Sequence, residues 1–64
     1  MKNLESIMSL HQRGHLAEAE AGYKLLFDKN ASDINLNYLY GKLLLDTNRA
    51  ANAFPLLAYA YEKT

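Results

Sequence analysis

The stretch GHLAEAEAGYKLLF, from Gly14 to Phe27, decides the fold of this chain. Alanine recurs at two-residue steps, at Ala17, Ala19 and Ala21, which is the spacing of a strand. The large apolar residues keep helical spacing instead: Leu16, Tyr23, Leu26 and Phe27. A helix with a small residue at Ala19, where a bulky core residue could stand, predicts that another helix crosses very close to this alanine.

Length and composition exclude several classes of protein. Sixty-four residues allow one domain at most. The absence of cysteine excludes a disulfide scaffold and favours a reducing compartment. Seven basic residues balance seven acidic ones, whereas a nucleic-acid binder usually carries a basic surplus. Because no long apolar run occurs, we expect a cytoplasmic protein that binds neither membranes nor nucleic acid.

Apolar periodicity and capping residues predict four helices, at about residues 3–13, 16–29, 34–46 and from 50 or 51 to the end. Asn3 is a suitable N-cap for the first helix, and Ser32 or Asp33 for the third. Gly14 and Asn48 are the residues that accept the left-handed conformation found after a helix end.

Two details of the second and fourth helices stay open. Glu20 and Lys24 can pair at i and i+4 on the outer face of the second helix. Pro55 allows two readings of the fourth: a late start with Asn52 as N-cap, or an early start that accepts a proline inside the helix. The early start is favoured because it fits an internal repeat.

The two halves of the sequence align with each other when one half is shifted so that Leu10 falls on Leu44. Caps fall on caps, small residues on small ones and large residues on large ones. The matched pairs include Leu10 and Leu44, Gly14 and Asn48, Ala19 and Ala53, Tyr23 and Leu57, and Phe27 and Tyr61.

Both the period and the pattern resemble the tetratricopeptide repeat, a helix–turn–helix unit of about 34 residues. The motif positions hold Asn3, Ser6, Ile7, Leu10, Ala19 and Tyr23 in the first half, and Asn37, Tyr40, Gly41, Leu44, Ala53 and Leu57 in the second. The sequence departs from the motif where asparagine replaces tryptophan in both halves, where Ala31 replaces the closing proline and where Ile7 replaces glycine. The stretch LHQRGHLAEAEAGYKLL is especially similar to repeats that precede glycosyltransferase or sulfotransferase domains in bacterial proteins.

The resemblance implies an all-α fold of two helical hairpins. Its four antiparallel helices would form a right-handed solenoid arrangement without a closing helix. Repeat one would span about residues 1–33 and repeat two about 34–64, in a single domain. Ala19 and Ala53 would then lie where the helices of each hairpin cross, with Gly41 on the facing helix. Helix propensity alone is sufficient to explain Ala17 and Ala21.

In this family the first helix of each hairpin lines a concave groove that binds peptides. The resemblance assigns to this groove Leu4, Met8, His11, Asn35, Tyr38, Lys42, Leu45 and Asp46. Independently of the family, Tyr38, Lys42 and Leu45 occupy a side of the third helix that its hairpin core does not need. Tyr38 and Leu45 could alternatively fill the core of a dimer.

The fourth helix carries an apolar stripe of Phe54, Leu57 and Tyr61, at spacings 0, 3 and 7. In a longer array this stripe would receive the next repeat. An exposed apolar patch normally marks an interface, so we expect a homodimer or a longer parent protein. The alternative is that the stripe packs back on the third helix.

Nothing in the sequence indicates catalysis, a cofactor or a metal. His11 and His15 have the H-x3-H spacing of a zinc site, but Gly14 breaks the helix between them, and both are interpreted as surface loop histidines. We therefore expect a non-catalytic protein–protein interaction module that binds a peptide or a partner helix. The alternative is a structural homodimerisation domain.

Overall fold

A computed structural model describes residues 3–63 of the chain. Residues 1–2 of the first predicted repeat and residue 64 of the second lie outside the described residues. The described part forms four helices and no strand: α1 Leu4–Gln12, α2 Leu16–Lys29, α3 Ile34–Asp46 and α4 Ala50–Lys63. The prediction of an all-α fold with four helices is confirmed.

The starts of α1 and α3 lie where the capping residues predict them. Asn3 accepts a hydrogen bond from the backbone N–H of Ser6 through its side-chain oxygen, at 2.9 Å. Asp33, and not Ser32, caps α3, since its carboxylate accepts from the N–H of Leu36 at 2.9 Å. These bonds satisfy backbone donors that have no partner in the first turn of a helix.

The same turn ends the first helix of both hairpins. Gly14 has φ of 85° and Asn48 has φ of 61°, the left-handed conformation predicted for both. The residue after each of them donates its backbone N–H to a carbonyl in the preceding turn of helix, at 2.9 Å from His15 to Leu10 and at 2.8 Å from Arg49 to Leu44. This pattern of bonds is the Schellman motif, which satisfies the last free carbonyls of a helix.

The two hairpins keep the displacement of the sequence repeat. α2 spans Leu16–Lys29 and α4 spans Ala50–Lys63, so the start and the end are displaced by the same number of positions. The early start of α4 is therefore correct, and Pro55 lies inside the helix. A proline at this place leaves one carbonyl of the preceding turn without its helical N–H partner.

Each helix packs against its neighbour along the chain, and α3 joins the two hairpins. α1 packs on α2 and α4 packs on α3, while α3 also contacts α2 and α1. The buried cluster between the hairpins consists of Ile7, Ala19, Tyr23, Leu36 and Leu43. α3 is thus covered on two sides, as its wide apolar stripe predicts.

Small residues allow close contact within the second hairpin. Ala19 and its counterpart Ala53 are both completely buried. A Cβ atom on Gly41 would lie 2.8 Å from Cγ and Cδ2 of Leu57 and 3.5 Å from the carbonyl oxygen of Ala53. The predicted close approach of Gly41 to the facing helix is confirmed.

The two helices of the first hairpin also approach closely, but here the glycine lies on the second helix of the hairpin and not on the first. Ile7 stands at the position of Gly41, and it packs against Gly22 of α2. A Cβ atom on Gly22 would lie only 2.7 Å from Cγ1 of Ile7. The departure from the repeat motif at Ile7 is therefore compensated by a glycine on α2, which the sequence analysis did not single out.

A buried asparagine and a tyrosine hold the turn between the hairpins. Asn37 is only 2% exposed, and its Nδ2 donates to the carbonyl oxygens of Ala31 at 2.8 Å and Asp33 at 2.7 Å. The hydroxyl of Tyr59 on α4 donates to the carbonyl oxygen of Ser32 at 3.0 Å. The asparagine that replaces the motif tryptophan thus ties the turn to α3.

Candidate partner-binding surfaces

A surface cavity of 240 Å³ opens between α1 and α3. We call this cavity the groove. Its lining residues are Met8, His11, Gln12, Tyr23, Leu39, Lys42 and Asp46. Four of the eight residues predicted for the peptide groove, Met8, His11, Lys42 and Asp46, border this cavity. Its walls combine apolar and charged side chains.

His11 connects three helices across the groove. Its Nε2 lies 2.7 Å from Oδ2 of Asp46 on α3, and its Nδ1 lies 3.3 Å from the hydroxyl oxygen of Tyr23 on α2. Because a carboxylate only accepts, Nε2 carries a proton, and the tyrosine hydroxyl can then donate to Nδ1. The His11 side chain is only 14% exposed. The interpretation of His11 as a surface loop histidine was therefore wrong.

An aromatic stack joins α3 to α2 beneath the groove. Tyr40 lies against Tyr23 with ring centroids 6.0 Å apart and an interplanar angle of 28°. Its other contact is with Phe27, edge to face, at 5.7 Å. Burial raises the pKa of both tyrosine hydroxyls, because it disfavours the charged form. Such aromatic contacts add to the apolar area that the hairpins bury.

A bidentate ion pair joins α2 to the turn before α4. Arg49 donates through both terminal nitrogens to the carboxylate of Glu20, with Nη1 at 2.7 Å from Oε2. Its Nε donates to the hydroxyl of Thr47 at 3.1 Å. These hydrogen bonds from Arg49 lower the pKa of Glu20 below its usual value. Glu20 forms its direct ion pair with Arg49 of the second hairpin, while Lys24 of the same helix acts on Glu20 only through a smaller Coulombic attraction.

The second hairpin exposes large apolar residues on the side of α3 and α4 that corresponds to the covered side of the first hairpin. We call this side the end face. Its residues are Ile34, Tyr38, Leu45, Phe54, Leu57 and Tyr61. Phe54 is 73% exposed, Tyr61 is 71% exposed and Leu45 is 46% exposed. Leu57 is half-buried because it packs on Gly41.

A mainly apolar cavity of 250 Å³ lies on the end face, between the start of α3 and the end of α4. Its walls are formed by Ile34, Asn35, Tyr38, Ala60 and Tyr61. Nζ of Lys42 lies 5.8 Å from the centroid of the Tyr38 ring, so one edge of the end face is basic. The cavity has room for an apolar side chain of an incoming helix.

The structure divides the predicted groove residues between two surfaces. Asn35 and Tyr38 border the cavity of the end face together with Tyr61, which the sequence analysis assigned to the interface for a next repeat. Leu45 is exposed on α3, whereas Leu4 is half-buried against the hairpin core. The groove and the end face are thus separate candidate surfaces.

The sequence analysis missed Ile34 and Ala60, which complete the cavity of the end face. Ile34 precedes Tyr38 by one helical turn, and this i, i+4 spacing of apolar residues was a signal that could have found it. Ala60 follows the buried Ala53 at i, i+7, so the helical spacing also placed it on the inner side of α4. Only the packing of α3 on α4 brings these residues together.

Within residues 3–63, no group of three or more histidine, aspartate or glutamate residues is arranged to hold a metal ion. α1 ends before Gly14, so His11 and His15 lack the single helix that the zinc spacing requires. None of the four described helices has the length and apolar character needed to cross a lipid bilayer.

No protein-family model matches the sequence, and no curated protein or solved structure is significantly similar to it. The resemblance to the tetratricopeptide repeat therefore stays a prediction.

Proposed function

We propose that this chain is a non-catalytic protein–protein interaction module that binds a helix on its end face. The observation that carries the proposal is the relation between the two hairpins. The side of the first hairpin that α3 covers has its counterpart, one repeat further along the chain, on the exposed end face. A surface used for helix packing in one half of the chain is therefore presented to solvent in the other half.

Five of the six end-face residues have a counterpart in the first hairpin, and each of these counterparts contacts the second hairpin or the core shared with it. Tyr23 is fully buried against Tyr40, and its counterpart is Leu57. Phe27 is half-buried against Tyr40, and its counterpart Tyr61 is 71% exposed. Exposed apolar surface of this kind is typical of interaction sites, because water contact with large apolar side chains is unfavourable.

The end face is a better candidate than the groove. In the groove, His11 and Asp46 are hydrogen-bonded to each other, so a ligand that uses either must first replace that bond. On the end face, large apolar side chains such as Phe54 and Leu45 are exposed, and their burial is favourable. A helix whose apolar ridge enters the cavity beside Tyr61 is the ligand that this geometry fits.

The proposal includes the family and the compartment. The equal displacement of both ends of α4 from those of α2 supports a protein of the tetratricopeptide type. The absence of cysteine supports a cytoplasmic location.

A binding experiment with three proteins tests the proposal. The natural chain, the end-face variant Phe54→Glu and the control variant Leu25→Glu are immobilised, and the proteins that each retains from solution are compared. Leu25 is a suitable control because it is 65% exposed on α2, away from the end face. We expect retention by the natural chain and by the control, with loss for Phe54→Glu. Equal retention by all three proteins would contradict the proposal.

A further inference from the structure

We infer that the helix bound by the end face is α4 of a second copy of this chain, in an antiparallel two-fold pair. This inference rests on the proposed function, because it names the occupant of the same surface.

The end face lacks the two polar contacts that hold the hairpins together. In the first hairpin, His11 bonds to Asp46 and Glu20 bonds to Arg49. The counterparts of His11 and Glu20 in the second hairpin are Leu45 and Phe54. Beside Leu45 and Phe54, a charged residue of a partner would be desolvated against apolar side chains. The occupant must therefore present an uncharged, apolar ridge.

Head-to-tail stacking of copies does not supply such a ridge. In that arrangement α1 of one copy would take the place that α3 takes on the first hairpin. The α3 residues that pack there are Leu39, Tyr40 and Leu43, and their counterparts on α1 are Glu5, Ser6 and Ser9. These three α1 residues are polar and exposed. A polar outer helix of this kind closes a stack of hairpins at one end.

α4 itself has the required chemistry. Residues 50–61 contain no charged side chain, although charged residues make up 22% of the whole chain. Phe54, Ala58 and Tyr61 follow one another at i, i+4 and i+7, so they share one side of the helix. A helix with no charge on any side is typical of one that is covered on more than one side.

An antiparallel pair of α4 helices is self-complementary. Phe54 and Tyr61 lie at equal distances along the helix from a point between Leu57 and Ala58, so a two-fold axis there places Phe54 of each copy beside Tyr61 of the other. Ala58 lies near the axis, where a small side chain permits close approach. The charged residues that follow Tyr61 then lie beside the uncharged start of α4 in the other copy. Like charges do not meet in this arrangement. The dipoles of the two antiparallel α4 helices point in opposite directions, which is favourable for neighbouring helices.

Sedimentation and cross-linking test this inference. We expect the natural chain to sediment at twice its mass of 7.2 kDa as its concentration rises. Phe54→Glu should sediment as a single chain, whereas the control Leu25→Glu should remain dimeric. Far-UV circular dichroism of both variants serves as the control for folding. A natural chain that stays a single chain at every concentration would overturn the inference, as would a dimer that Phe54→Glu leaves intact.

The absence of cysteine gives a second, independent measurement. Ala58→Cys should form a disulfide-linked dimer on mild oxidation, and Leu25→Cys should not, because only Ala58 lies near its own copy. A mixture of Phe54→Cys and Tyr61→Cys chains should give mainly the mixed dimer. Dominant linkage of Phe54→Cys to itself would exclude the antiparallel arrangement.

The two proposals can fail separately. If the chain is monomeric but still retains other proteins through Phe54, the second copy is excluded and the interaction module stands. If the chain is monomeric and retains nothing, both proposals are wrong.

Discussion

The contact between Gly41 and Leu57 gives the sharpest test of how the second hairpin is packed. A methyl group at Gly41 would lie 2.8 Å from Cγ and Cδ2 of Leu57, which is shorter than a van der Waals contact. Overpacking of this kind costs about 1–3 kcal/mol. Replacing glycine by alanine inside a helix contributes about 1 kcal/mol in the opposite direction. The single variant Gly41→Ala should therefore lose up to about 2 kcal/mol of unfolding free energy.

A double-mutant cycle with Leu57→Ala separates the two effects. When Leu57 is shortened, the two close atoms Cγ and Cδ2 are removed, and the nearest remaining atom is the carbonyl oxygen of Ala53 at 3.5 Å, an ordinary contact. Gly41→Ala should then stabilise the protein by about 1 kcal/mol. The coupling energy of the cycle equals the cost of the clash, about 1–3 kcal/mol, since the helix-propensity contribution cancels.

The assay is urea unfolding followed by circular dichroism for all four proteins. Because a domain of this size has only about 3–5 kcal/mol of stability, a stabilising osmolyte is added equally to every sample. Ala21→Gly, at an exposed position inside α2, measures the glycine-to-alanine difference in this protein itself. The reasoning is refuted if Gly41→Ala has the same effect in both backgrounds to within about 0.5 kcal/mol.

Three further predictions concern the core, the inter-hairpin turn and the response to pH. Ala19→Leu should lose about 1–3 kcal/mol in urea unfolding, while Ala17→Leu, on the exposed side of the same helix, should change stability by less than about 0.5 kcal/mol; equal effects would reject a close crossing at Ala19. Asn37→Ala removes two hydrogen bonds from a buried side chain to turn carbonyls and should lower the urea midpoint by an amount equivalent to about 1–3 kcal/mol, so an unchanged midpoint would contradict their role. Arg49 lowers the pKa of Glu20 in the folded state, so the stability from Glu20 is present above its unfolded value of 4.5 and is lost as the pH falls through the lowered folded pKa. Glu20→Gln should therefore flatten the loss of stability on acidification, and a pH profile that matches the natural chain would exclude this contribution.

The sequence was sufficient to predict which large apolar residues of α4 belong to the candidate site. The stripe of Phe54, Leu57 and Tyr61 follows from the helical period, and the structure leaves Phe54 and Tyr61 exposed. Its geometry was not predictable, because Tyr38 was assigned to a different surface from Tyr61. The two residues border one cavity only because α3 packs on α4.

Local sequence by itself determined where α1 and α3 begin and end. Asn3 and Asp33 cap helices through bonds to backbone groups three residues away, and Gly14 and Asn48 end helices through their own backbone conformation. These interactions span a few residues, so the residue type at one position is sufficient to predict them.

The tertiary structure alone decided which distant residues meet. Glu20 could pair with Lys24 in its own helix, but the fold brings Arg49 to it from 29 positions away. His11 contacts Asp46 over 35 positions, and Gly22 makes room for Ile7 of the facing helix. Such contacts depend on how the helices rotate and approach one another as they bury apolar surface. The rotation and approach of the helices depend on the packing of the whole core, and no short stretch of the sequence specifies them.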